Sequence, residues 1–251
     1  MRTVTVLLAV SAAAMAETGP FHWRGSVAQG RAIELRSVNG DIIVEGYDGS
    51  EVEVTANIAS ESGVAAPVAM RAVEHAKGVT VCAVDPRSAA ACVPGSEIRQ
   101  PPKGTGVRID LTVRVPRGVG VIGRTVNGRV EAQRLDSDVE AYTVNGKIYI
   151  STKGSAQART INGSIFASLG NPFWRQNREF STVNGSITLD LPAKASTEIH
   201  AQTTNGRVMT AFRLRSLGRI TEKVVDGLIG GGGSRLHLKT VNGSIALRKA
   251  S

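Results

Sequence analysis

The chain has 251 residues, 41% of them hydrophobic and 20% charged, a balance that suits one large globular domain or two small ones. Aromatics are scarce at 4% and Gly is frequent at 28 residues, so Ala, Val, Ile and Thr carry the apolar content, as in a chain of short strands and tight turns. No long apolar segment follows the first residues, which excludes several membrane-spanning helices. The formal charge of +9 is uneven: residues 1–100 hold eight Lys and Arg against eleven Asp and Glu, and residues 101–251 hold twenty-two against ten. A field of that kind attracts anionic partners and weakens with salt.

In chain order, residues 1–16 read as a signal peptide: Arg2, an apolar run, and Ala14-Met15-Ala16 as the small-x-small site, with cleavage expected after Ala16. The mature chain is then expected to be exported, to the periplasm or beyond. Residues 17–106 read as an N-terminal β region that caps the rest and carries a disulfide-bearing insertion at about 58–106. They open with a short leader holding His22 and Trp23, followed by the first copy of a repeated phrase, "SVNGDI" at 37–42, and a strand, "EVEVTANI". "AAPVAMRAVEHAKG" (65–78) is expected to be the one helix, capped by Gly78. Cys82 and Cys92, the only cysteines, are expected to form a disulfide across a turn at Asp85-Pro86. Residues 93–106 form a Pro/Gly loop.

Residues 107–251 form the regular repeat region, continuous with the part before it. The phrase recurs as "TVNGRV", "TVNGKI", "TINGSI", "TVNGSI", "TTNGRV" and "TVNGSI". Its turn positions are Asn39-Gly40, Asn127-Gly128, Asn145-Gly146, Asn162-Gly163, Asn184-Gly185, Asn205-Gly206 and Asn242-Gly243. Between Asn127 and Asn205 the steps are 18, 17, 22 and 21 residues, the period of a solenoid or a hairpin array. Asp226-Gly227 falls where a degenerate copy would sit. Counted from the Asn, positions −4, +3 and +5 are apolar or small with few exceptions, −2 is always Ser or Thr, and +2 is Asp, Arg, Lys or Ser. Alternation on both sides of a fixed break is strand–turn–strand, with −2 and +3 facing one core.

Two geometries fit that parity. An array of antiparallel hairpins would place Asn-Gly in type I′ turns with positive φ. A β-solenoid would fold the two strands over as an arc, each pairing with its equivalent in the next coil and bringing the Asn side chains into a column.

The repeats resemble the bacterial putative-adhesin family of exported β-strand-repeat proteins, a toastrack-like domain of unknown function. "VRIDLTVRVPRGVGV" (107–121), "SITLDLP" (186–192) and "IGGGGSRLHLKTVNGSIALRK" (229–249) extend the resemblance over roughly residues 30–250. It implies an all-β, single-stranded, right-handed β-helix and no particular activity.

Chemistry is sparse. His22, His75, His200 and His237 show no metal-ligand spacing in sequence, and neither a nucleophile elbow nor a phosphate loop is present. No cofactor is expected. Asp136 and Asp138 are the carboxylate pair that an acidic-polysaccharide lyase or hydrolase would need, but "LDSD" reads better as a polar turn. "NPFWRQNREF" (171–180) is the best recognition candidate, through Phe173, Trp174, Arg175 and Arg178, with Trp174 read as a lid on the core. The expected function is a non-enzymatic scaffold or adhesion module meeting an anionic envelope glycan, a lipid or a protein partner. Nucleic acid is the poorer fit, because stacking aromatics are few.

Overall fold

The computed structural model describes residues 20–60, 68–84, 92–95 and 106–250. The signal-peptide reading, the Asp85-Pro86 turn and most of the 93–106 loop lie outside them. Within them the chain is all β. The strands are β1 (Phe21–Gly25), β2 (Ala32–Arg36), β3 (Ile42–Tyr47), β4 (Val52–Ser60), β5 (Ala69–His75), β6 (Gly78–Val84) and β7 (Val107–Pro116). They continue as β8 (Gly120–Arg124), β9 (Val130–Leu135), β10 (Val139–Tyr142), β11 (Ile148–Thr152), β12 (Ala156–Arg159), β13 (Ile165–Leu169) and β14 (Arg178–Ser181). The last are β15 (Ile187–Leu191), β16 (Thr197–Asn205), β17 (Val208–Thr210), β18 (Arg215–Ile220), β19 (Val224–Ile229), β20 (Arg235–Asn242) and β21 (Ile245–Lys249).

They form two sheets. One runs β1-β4-β7-β3-β9-β11-β13-β15-β21-β17, the other β18-β19-β16-β20-β14-β12-β10-β8-β2-β6-β5. In each copy of the phrase, the strand before the Asn lies in the second sheet and the strand after it in the first. Each pairs in parallel with its equivalent one coil away, as β11 pairs with β9 and β13. This is the solenoid, not the hairpin array. The core lies between the sheets. Ile42, Val130, Ile148, Ile165, Ile187 and Ile245 at +3 are buried, opposite Leu35, Ala141, Ala158, Phe180, Ala201 and Leu238 at −4. Burying one such Ile is worth about 1.5–3 kcal/mol.

Every letter of the phrase has a physical task. The Thr at −2 is buried, and its hydroxyl donates to the carbonyl of the Gly one coil away: Thr125 to Gly40 at 3.0 Å, Thr143 to Gly128 at 2.9 Å, Thr182 to Gly163 at 2.8 Å. The Asn side chains form the column, Nδ2 of each donating to Oδ1 of the one before at 2.7–2.8 Å. The Gly N–H donates in the opposite direction, as Gly128 N to Asn145 O at 3.0 Å.

The Gly is required by close approach rather than by a type I′ turn. A Cβ on Gly146 would stand 1.9 Å from Gly128 O, and one on Gly163 1.9 Å from Gly146 O. Among the seven Asn none has positive φ. The hairpin turn chemistry therefore does not apply, because the flanking strands never have to pair with each other.

The stack departs from sequence order at both ends. At one end β2–β3 lies between β6–β7 and β8–β9, so residues 32–47 are a coil inside the stack. At the other, β16–β17 takes the outermost position and β20–β21 is inserted between it and β14–β15.

Two expectations are corrected. The segment 65–78 is not a helix where it is described. Its residues 69–75 form β5, antiparallel to β6, because seven residue pairs along that sheet edge outweigh a weak helical preference. Asp226-Gly227 is no repeat turn; it lies inside β19, which runs antiparallel to β16 and closes the coil end.

Candidate binding surfaces

The loop between β13 and β14 is pinned on three sides. Pro172 O accepts from Ser196 N at 3.1 Å, Asn177 Oδ1 from Arg235 N at 2.9 Å, and Arg178 donates to Asp138 at 2.6 Å. Trp174 is 7% exposed and belongs to the core, so its ring is a lid and offers no free face for stacking. Arg178 is likewise sequestered. Of the four predicted recognition residues, Phe173, 63% exposed, and Arg175 reach solvent.

Both carboxylates hold turns. Asp136 Oδ1 accepts from Gly118 N at 2.9 Å, and Asp138 Oδ1 accepts from Ser155 N and Oγ at 3.0 and 2.8 Å while Oδ2 takes Arg178.

The outer face of the second sheet arranges charge in rows along the stack. Position −5 supplies Glu34, Glu140, Gln157, Glu179, His237 and His200, and β19 adds Asp226 beside His200. Position −3 supplies Arg36, Arg124, Arg159 and Lys239. The sequence reading missed that His200 and His237 meet: they are register partners with ring centroids 5.0 Å apart, and His200 bonds Asp226. The signal was present, since both stand five residues before their Asn. Desolvation, then the neighbouring His200, lowers the pKa of His237. Among the described residues no group of three His, Cys, Asp or Glu could hold a metal ion.

Near the other end the Cys82–Cys92 disulfide is present. Residues 92–95, tethered by it, lie against β2 and enclose charge that the sequence reading left unremarked. Glu34, 4% exposed, accepts from Thr80 Oγ1 at 2.9 Å, Gly95 N at 3.0 Å and Arg124 Nε at 3.2 Å. Arg36 donates to Val93 O at 2.8 Å. Every buried charge there is matched, which is the condition for burying it at all.

A cluster of basic residues lies on the β18–β19 hairpin and the segment leading into it. Arg213, Arg215, Arg219 and Lys223 are all exposed, and none pairs with a carboxylate among the described residues. All six residues of the edge strand β18 face solvent, including Leu217 and Ile220. The arginines of the coils, by contrast, are largely paired, as Arg114 with Glu53, Arg235 with Glu198 and Arg248 with Asp190. On the first sheet, Tyr149 and Phe166 stack across neighbouring coils at 5.2 Å.

No family model matches the chain, and no curated protein matches it. Among solved structures it is similar to a putative cell adhesion protein from Clostridium sporogenes. The identity is 11% and the TM-score 0.48, covering 92% of this chain and 100% of that one. It is also similar to a putative adhesin from Bacteroides fragilis, at 12% identity and TM-score 0.41, covering 92% and 98%.

Proposed function

We propose that the protein is an exported, non-enzymatic binding scaffold of the adhesion type, whose basic terminal hairpin takes an anionic partner of the envelope. The observation that carries this reading is the cluster Arg213, Arg215, Arg219 and Lys223, exposed and without carboxylate partners beside coils whose own arginines are mostly neutralised. Cations left unpaired on one rigid end attract phosphate or carboxylate groups, and a solenoid holds them at fixed spacing. Phe173 and Arg175, on the loop after β13, give a second contact of the same character. Asp136 and Asp138 each bond the backbone of a turn, which supports the non-enzymatic side.

The test is binding of the mature chain to an acidic glycan, to vesicles of anionic lipid and to duplex DNA, at low and near-physiological salt. The triple variant Arg213→Glu, Arg215→Glu, Arg219→Glu is measured alongside. All three positions are exposed, and an unchanged melting curve shows that the fold survives. The reading expects one polyanion to remain bound at physiological salt and its affinity to fall about tenfold or more in the variant. Equal loss of every polyanion with salt, or an unaffected variant, contradicts it.

A further inference from the structure

An Asn followed by Gly is the peptide unit most prone to deamidation, because Gly leaves the attacking nitrogen unhindered. The Gly nitrogen adds to the Asn Cγ, the Cγ–Nδ2 bond breaks, and the amide leaves as ammonia carrying the Gly proton. Water then opens the succinimide at either carbonyl, giving Asp or isoaspartate. The reaction needs a free Gly N–H and an Asn side chain able to swing towards it. This chain has seven such units, and six of the seven Asn are classed as solvent-exposed.

The column disarms them one after another. Gly40, Gly128, Gly146, Gly163, Gly185 and Gly243 each donate their N–H to the Asn carbonyl of the next coil: to Asn127, Asn145, Asn162, Asn184, Asn242 and Asn205, at 2.8 to 3.0 Å. Each of the corresponding Asn side chains also accepts an amide hydrogen bond at its Oδ1. The glycine bonds all run towards the outermost coil and the amide bonds all run away from it, so both protections end there. That coil is the one carrying Asn205, because the C-terminal coil has been inserted inside it. Gly206 N has no acceptor among the described residues, and the Oδ1 of Asn205 has no donor; its Nδ2 alone is held, by Asn242 at 2.8 Å.

We infer that Asn205-Gly206 is a spontaneous modification site, the position at which the folded protein converts Asn to Asp and isoaspartate, while the stack protects the other six. Protection is a matter of local opening: a bonded Gly N–H must first be released by separating two coils, whereas Gly206 needs no such step.

The native protein tests this directly. It is incubated in mildly alkaline buffer, sampled over time, digested, and each Asn-Gly peptide is followed by mass and by chromatographic separation of its Asp and isoaspartate forms. The expected result is conversion at Asn205 at least about tenfold faster than at any column member, the ratio given by about 1.4 kcal/mol of additional protection. In denaturant the seven sites should converge, and in Asn205→Gln the first site should vanish with no other replacing it. Conversion at Asn205 no faster than at Asn145 or Asn162 in the folded protein would overturn the inference, as would another Asn-Gly reacting first.

Discussion

Asn242 Nδ2 donates to Asn184 Oδ1 at 2.8 Å across 58 residues of sequence. Asn205, which follows Asn184 in the chain, sits on the far side of Asn242 and bonds it instead. The chain therefore runs past an empty place, builds the outer coil and the β18–β19 hairpin, and returns to fill the gap with β20–β21. Those last strands are paired on both edges, and the exposed edges at this end are β17 in one sheet and, in the other, β18 with its arginines, which discourage edge-to-edge association.

The glycine column gives the sharpest mutational contrast. Gly146→Ala puts a Cβ 1.9 Å from the Gly128 carbonyl, so two coils must separate, and no folded protein or a steep loss of melting temperature is expected. Gly218→Ala, whose Cβ would meet Asp226 at an ordinary 3.5 Å, should melt within a degree or two of wild type, as a change of about 0.5 kcal/mol allows. Thermal unfolding followed by circular dichroism compares the two.

The buried threonines predict a smaller, graded effect. Thr160→Val keeps the shape and removes the hydroxyl that donates to Gly146 O at 3.0 Å. A loss of about 0.5–1.5 kcal/mol is expected in denaturant titration. Ile187→Asp, which buries a carboxylate at a fully enclosed position, should cost more than about 3 kcal/mol and unfold the domain.

Reduction of Cys82–Cys92 should do more than free a short loop. The Cys82→Ser, Cys92→Ser variant is expected to lose about 2–3 kcal/mol from the crosslink. It should lose further stability where the segment after Cys92, no longer tethered, withdraws Gly95 N from Glu34 and Val93 O from Arg36. In the same variant, Glu34→Gln should then be less harmful than in the intact protein, a coupling that a double-mutant cycle measures.

Acid stability follows from His237. Its folded pKa is lowered below the ordinary 6.5 by desolvation first and by His200 next, with Lys239 and Arg235 acting the same way and Glu179 opposing. The unfolded chain then binds the proton more readily than the folded one, so the His237 contribution to stability is constant above about pH 7 and declines as pH falls through 6.5. His237→Gln should flatten that decline in urea titrations between about pH 7 and 5. A variant with the wild-type slope would show that other groups set it.

Much of the fold was legible because the pattern has a period of two on each side of a fixed break. The −4, +3 and +5 positions that the alternation marked as inward are the core, and the amide column followed from stacking equal units. What was not legible has physical reasons. A residue with no side chain can serve positive φ or close approach, and the letters Asn-Gly do not say which; here the 1.9 Å clearance decides. Periodicity records the shape of a coil and not its address, so the inserted last coil was invisible until the Asn184–Asn242 bond was seen. Residues 69–75 have no strong pattern of their own and take their strand from β6. The His200–His237 contact and the Glu34 cluster depend on which strands adjoin, which neither local propensity nor motif spacing encodes.

The order of the coils supports the column, the exposed hairpin and the vulnerable Asn205 alike, and disulfide crosslinking tests it most directly. Val183 and Val241 stand one residue before Asn184 and Asn242, and Asn242 N donates to Val183 O at 2.8 Å. Neighbouring parallel strands bring such Cα atoms within the reach of a disulfide. The pair Val183→Cys, Val241→Cys should crosslink on mild oxidation of the folded protein, whereas Val183→Cys, Thr204→Cys, separated by an intervening coil, should not. Crosslinking of the second pair and not the first would mean that the coils stack in sequence order, contradicting the account.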